Sequence, residues 1–180
     1  GFVIGMGETP NPIRVAASLL DEDINGLSGD GARSYADKKG HKRSPVQGRK
    51  NFDGATDTVG VLARDRDGII VCATSTGGCS DMPPGRVGDV PLPGSGFWVH
   101  EGVGVGATGI GEAITRGLLS FKVADLISRG GEIEKSMMKA LDESIEEGAE
   151  VGIIALSSEG TGHGISNSEN MPWASWIARK

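Results

Sequence analysis

Apolar residues recur along this chain in two rhythms, and the change between them divides it. After Asn11-Pro12, a cap with proline in the first turn, Ile13, Ala16, Ala17 and Leu20 follow at helical spacing and predict a short helix to about Asp21. Asp30–Lys39 reads as another. From Gly40 to Thr56 the periodicity dissolves into Lys, Arg, Ser, Pro, Gln, Gly and Asn, which predicts a mobile linker. At Thr58 the pattern turns to continuous β-branched runs. Thr58–Arg64 and Gly68–Thr74, joined through Asp65-Arg66-Asp67-Gly68, predict a hairpin whose strands are covered on both faces. Residues 79–98 read as loop, stiffened by Pro83-Pro84 and Pro91-Leu92-Pro93, and Val103–Ala107 as a short extended segment. Glu112–Arg129 predicts a helix through Ile114, Leu118, Phe121 and Leu126, stopped by Gly130-Gly131. Glu132–Glu147 predicts a second, and Glu150–Ser157 with Gly162–Ser166 a closing hairpin. The order of elements is that of an α+β fold, a sheet with helices packed on it.

Composition narrows this. A length of 180 residues suits one domain. With 37% hydrophobic but only 4% aromatic residues the core is aliphatic, and 30 glycines without a repeat period point to tight backbone geometry. A net charge of −6 argues against binding to nucleic acid or an anionic membrane, and the basic run Lys38–Arg43 reads as a solvated loop. No apolar run approaches the roughly 18 residues of a membrane span. Cys72 and Cys79 form neither a Cys-x-x-Cys pair nor a disulfide framework, which suits a reducing cytoplasm. The chain opens on the apolar Gly1–Gly7 rather than on Met, as a fragment or a processed product does.

Candidate chemistry gathers between residues 58 and 111, where hydroxyls, a fixed cation, a carboxylate and bare backbone amides lie among apolar strands. A threonine hydroxyl is a poor nucleophile until a base takes its proton. Conventional bases are scarce: His100 stands beyond a proline loop, His41 in the linker and His163 in a distant strand. The α-amine of a threonine that begins a chain fills the role, because its pKa of about 7.7–8.0 lies near working pH. That requires the bond before the threonine to be cut. Thr76 lies 18 positions after Thr58, an interval a hairpin folds back. Arg86 and Asp89, held by Gly85 and Gly88 that precede them, offer a guanidinium suited to an α-carboxylate and a carboxylate suited to an α-ammonium, or else a salt bridge closing their own loop. Thr108-Gly109 precedes the helix at Glu112, which aims a hydroxyl and an amide near a helix N-terminus.

Asp57-Thr58-Val59-Gly60, Thr74-Ser75-Thr76-Gly77-Gly78, Gly85-Arg86-Val87-Gly88-Asp89 and Ala107-Thr108-Gly109 resemble, in order and spacing, the signature blocks of the N-terminal-nucleophile asparaginase family. That family includes plant-type L-asparaginases, isoaspartyl peptidases, glycosylasparaginase and the threonine aspartases. Asn11–Ala16 is similar to a helix start it carries before its cleavage point. The resemblance implies an αββα four-layer sandwich, with 1–57 the remnant of an α subunit and 58–180 a β subunit that starts at the nucleophile. It implies that Thr58 Oγ attacks the Asp57 carbonyl, forms an ester and is released by water as a new N-terminus. Thr76 then supports the nucleophile, Arg86 and Asp89 hold the substrate's head group, Thr108 and Gly109 stabilise the oxyanion, and Gly111 lies close to the ligand. The implied reaction is hydrolysis of L-asparagine or a β-aspartyl peptide, without metal or organic cofactor, in a dimer of cleaved αβ heterodimers. Met171-Pro172-Trp173-Ala174 is similar to the plant-type and isoaspartyl peptidase branch. Pro91-Leu92-Pro93-Gly94 and Ala107-Thr108-Gly109 look closer to glycosylasparaginase.

Two other classes compete. Gly104-Val105-Gly106-Ala107-Thr108-Gly109 satisfies Gly-x-Gly-x-x-Gly, the dinucleotide-binding pattern, although Asp125, about twenty residues on, sits inside a predicted helix. A non-catalytic binding domain is the third.

Overall fold

The computed structural model describes residues 1–45, 58–169 and 171–177, so Asp57 and most of the expected linker lie outside the described residues. The chain divides into two compact units, one within Gly1–Asp57 and Ser75–Val87, the other Thr58–Thr74 with Gly88–Lys180.

In the first unit, strand β1 (Phe2–Ile4), within the apolar Gly1–Gly7 that reads as the tail of a strand or loop, pairs in parallel with β2 (Gly26–Ser28), which the pattern does not announce. Helix α1 (Pro12–Ser18) carries Pro12 in its first turn as expected and runs into a 3₁₀ turn at Leu19–Asp21. Helix α2 (Gly29–Lys38) matches the second predicted helix. Val15, Ala16, Leu19, Ala32 and Ala36 form the small interior. Arg33 is buried among them because its guanidinium is used: it donates to Thr9 Oγ1 at 2.6 Å, Asp37 Oδ1 at 3.0 Å and the His41 carbonyl at 2.9 Å. The basic run is not simply solvated. Arg43 forks onto both Asp37 oxygens at 3.2 and 2.6 Å and reaches Glu8 at 3.0 Å. Arg43 first, then Arg33, holds the Asp37 carboxyl below the usual range.

The second unit is built in layers. Strands β3 (Thr58–Arg64) and β4 (Ile70–Thr76) form a two-stranded sheet, closed where Asp65 N–H donates to the Ile69 carbonyl. β5 (Phe97–His100), β6 (Val103–Gly109), β7 (Val151–Ser157) and β8 (Gly162–Ser166) form a four-stranded antiparallel sheet in that order. Helices α3 (Gly111–Gly117), α4 (Leu119–Ser128) and α5 (Ile133–Ser144) complete the unit. Alternation along β6 and β7 sends Val103, Val105, Ala107, Val151, Ile153 and Ala155 to a core shared with Ile114, Leu119, Val123 and Met137 of the helices. The other face of β6 is Gly104, Gly106 and Thr108. A Cβ on Gly104 would stand 2.6 Å from Ile70 Cγ2 and 3.2 Å from Leu62 Cδ2, so the β3–β4 layer rests almost on the backbone of β6. Hairpin, sheet and helices make three layers.

Three expectations need correction. The hairpin is not covered on both faces: Val59, Val61, Ile69 and Val71 are 56–61% exposed, because only the alternate set of residues meets the sheet. The helix expected over Glu112–Arg129 breaks at Leu118, which takes left-handed φ 48, ψ 46. Gly117, just before the break, lies so close to the end of α5 that a Cβ there would be 2.7 Å from the Ser144 carbonyl oxygen. The loop expected over 79–98 ends in β5, whose apolar Phe97-Trp98-Val99 is masked in the sequence by the prolines before it. Strand β4 begins two residues later than predicted and β6 extends two further.

Cys72 faces the sheet, its Sγ 3.6 Å from the Val105 carbonyl, and burial pushes its thiol up to about 12. At pH 8 the thiolate is then about one part in ten thousand of Cys72. Iodoacetamide at pH 8 is expected to leave Cys72 unmodified in the folded protein and to label it fully in denaturant, as peptide mass spectrometry would show.

Candidate active site

The β3–β4 layer is set on the sheet in a definite register. Leu62 lies over Gly104, and two residues earlier Gly60 lies over Ile154, which also neighbours Gly106. Thr58 shares the face of Gly60 and Leu62, so the next step of two in each strand directs it toward the Thr108 end of β6. The spacing that makes Thr58 a good strand residue also aims it at the sheet.

Thr108 and Gly109 close β6. Gly109 has φ 132, and a Cβ there would collide with the Glu150 carbonyl and stand 2.7 Å from Val151 Cα, so only glycine fits. Ile110 N–H then donates to Glu150 O at 2.9 Å, turning the chain into α3, where Gly111 is the first residue. The helix-end field expected there is small. α3 has only seven residues, and Glu112 already places a carboxylate in its first turn.

Asp89 is buried, 5% exposed, at the head of a tight loop. Its carbonyl accepts from Leu92 N–H at 2.8 Å and Gly96 N–H at 3.1 Å, and the Gly96 carbonyl accepts from Ala107 N–H at 2.9 Å. The Asp89 loop is thereby pinned to β6 one residue before Thr108. Thr74 Oγ1 donates to the Val90 carbonyl at 3.3 Å, tying the same loop to β4. Buried Ser120 donates to the Ser95 carbonyl, anchoring the loop to α4. Sequence reading missed Ser95 and Ser120; serines flanked by glycine or leucine give no periodic signal. The second unit therefore gathers Thr58, Asp89, Thr108, Gly109 and Gly111 around the end of β6.

Thr76 and Arg86 belong to the first unit. Thr76 ends β4, and its Oγ1 accepts from Gly78 N–H at 3.1 Å in a hydroxyl-closed turn, with Gly78 at φ 94. Arg86 follows Gly85 at φ 86, and its N–H donates to the Pro83 carbonyl at 3.1 Å. Asp57, the proposed cleavage residue, lies outside the described residues.

His100 offers no base to this cluster. It is exposed, its Nε2 3.4 Å from Glu101 Oε1. The dinucleotide pattern also loses its context: Gly104–Gly109 run inside β6, which is antiparallel to both neighbours, instead of in a turn between a strand and a helix. Among the described residues no group of three or more His, Cys, Asp or Glu is placed to hold a metal ion, and no helix is long and apolar enough to cross a membrane.

A sequence model of the asparaginase family matches residues 41–180. The chain is 42% identical to a plant-type L-asparaginase of Pyrobaculum calidifontis over 135 residues, 70% of this chain and 45% of that protein. It is 32% identical to an isoaspartyl peptidase of Escherichia coli, over 95% of this chain and 63% of the relative. It is 28% identical to an N(4)-(β-N-acetylglucosaminyl)-L-asparaginase of Elizabethkingia miricola, over 89% of this chain and 55% of the relative. The chain thus spans about half to just under two thirds of these relatives.

Replacing Gly109 tests how rigidly β6 ends. Gly109→Ala is expected to lose at least about 1–3 kcal/mol for the backbone conformation alone, read from the urea midpoint. An unchanged midpoint would show that the turn relaxes freely.

Proposed function

The chain belongs to the asparaginase family, and from that premise we propose that it is a threonine-dependent amidohydrolase acting on L-asparagine or β-aspartyl peptides. The observation that carries the reading is the register of β3 over β6, which directs Thr58 toward Thr108 and Gly109.

In maturation, Thr58 Oγ attacks the Asp57 carbonyl carbon, the peptide nitrogen becomes the Thr58 amine, and water hydrolyses the resulting ester. In turnover that amine takes the Oγ proton while Oγ attacks the side-chain amide carbon of the substrate. The carbonyl oxygen becomes an oxyanion held by the Thr108 hydroxyl and the Gly109 N–H, donors of a kind that each lower a barrier by about 3–4 kcal/mol. The C–N bond then breaks, the nitrogen leaves with the proton from the amine, and water cleaves the ester to return Thr58 and release aspartate. Thr76, whose hydroxyl accepts from Gly78 N–H, supports the nucleophile in this reading. Arg86 pairs with the substrate α-carboxylate and Asp89 with its α-ammonium. Burial of Asp89 favours a charged partner over water. Gly111 bounds the ligand. The chemistry calls for no metal and no organic cofactor.

The same reading takes the fold to an αββα sandwich. The apolar outer face of the hairpin, Val59, Val61, Ile69 and Val71, is the surface on which a second helical layer fits. Cleaved αβ heterodimers pair, and the two free cysteines suit a cytoplasmic setting. Glycosylasparaginase activity is the second reading, favoured by Pro91-Leu92-Pro93-Gly94 and by the Elizabethkingia relative.

Intact mass and N-terminal sequencing of the purified protein test this first. Two pieces, one beginning at Thr58, with ammonia released from L-asparagine, are expected, and Thr58→Ala is expected to remain one piece and inactive. Arg86→Lys is expected to raise KM by about tenfold or more, since an ammonium cannot replace the bidentate fork. A processed, active Thr58→Ala protein would remove the nucleophile assignment. Preference for a glycosylated asparagine would move the protein to the second reading.

A further inference from the structure

The face of the sheet that carries Thr108 receives two more side chains, and they come from the far end of the sequence. Gly152 of β7 is the cross-strand partner of Thr108. Side chains at such a pair stand about 4.5–5.5 Å apart, but Gly152 has none. The place its Cβ would take is filled by Met171, with Sδ on that position, Cε 2.8 Å and Cγ 3.0 Å away. On the edge strand β8, Gly164 is filled in the same way by the Trp173 indole, whose Cγ lies 2.5 Å from the Cβ position. The Trp173 ring is also 5.4 Å from the His163 ring, and His163 Nε2 lies 3.7 Å from Glu134 of α5. Trp173 is thus the anchor, and Met171 is the side chain delivered next to the end of β6.

We infer that Met171 is a positioning residue for acyl transfer at Thr58, its thioether forming an apolar wall beside the Thr108 hydroxyl. The inference rests on the reading of Thr108 as an oxyanion donor. A thioether is a weak acceptor, so it does not compete for the Thr108 proton, and by excluding water it strengthens the hydroxyl's interaction with developing charge. Being unbranched, methionine also adapts to the acyl group as the carbon passes through a tetrahedral state. Gly152 is the complementary requirement, because a Cβ there displaces the Met171 thioether.

The test uses the full chain, with steady-state hydrolysis of L-asparagine and, separately, ¹³C-methyl-methionine NMR. Met171→Ala is expected to lower kcat about tenfold, less than the 10²–10³-fold loss typical of removing an oxyanion donor, with KM within about twofold. Met171→Leu, of similar volume, restores kcat to within about threefold. Gly152→Ala reproduces the loss, and the double variant Gly152→Ala/Met171→Ala is no worse than either single one, since both remove the same wall. In the labelled wild type, L-aspartate shifts the Met171 methyl resonance, and in Gly152→Ala that shift disappears. A wild type that hydrolyses asparagine while Met171→Ala matches it overturns the inference and leaves the nucleophile reading standing. A wild type without turnover overturns the nucleophile reading, and the methyl resonance then decides: a Met171 signal unmoved by aspartate overturns the wall as well.

Discussion

The second unit depends on one face of its sheet being stripped of side chains. Gly104, Gly106, Gly152 and Gly164 leave four gaps, and residues distant in sequence occupy or border them: Ile70 and Leu62 at the first, Thr74 near the second, Met171 at the third, Trp173 at the fourth. Two layers can approach this closely only where neither spends volume at the contact. The other face of the same strands is conventional, with Val105, Ile153 and Ala155 packed under the helices. Stability comes mainly from that side, while the glycine side fixes where the hairpin and the C-terminal segment lie.

Much of this architecture was legible because it rests on periodicity. α1, α2, α5 and the strands β3, β4, β7 and β8 all follow from apolar spacing, and so does the start of β3 at Thr58. What was hidden had a tertiary cause. Leu118 fits a helical pattern, and nothing local says that Gly117 must abut Ser144. β1 and β2 are three residues each, too short to show a period, and exist because they pair with one another. The extended reading of Val103–Ala107 reaches most of β6, and the period of two in its glycines, Gly104 and Gly106, is that of a strand.

The candidate residues divide in the same way. Thr108, Gly109 and Asp89 were legible as a motif, but their mutual placement follows from backbone bonds the sequence does not advertise: Gly96 to Asp89, Ala107 to Gly96, Ile110 to Glu150. Such a placement is held by main chain more than by side chains, and His100 stands at the other end of β6, opposite Val103. Met171 carried a family likeness but no chemical sign, since a methionine near a terminus reads as surface filler until the gap beneath it is seen.

The fork of Arg43 onto Asp37 and Glu8 has a consequence for the life of the chain after any cut beyond Pro45. Ser44 N–H also donates to the Glu8 carbonyl, and His41 N–H to that of Ala36. The upstream piece would keep residues 41–44 clamped to α2 and to Glu8 by main-chain bonds and charged pairs together. An exopeptidase working inward from a new end would have to break those bonds to pass residue 44.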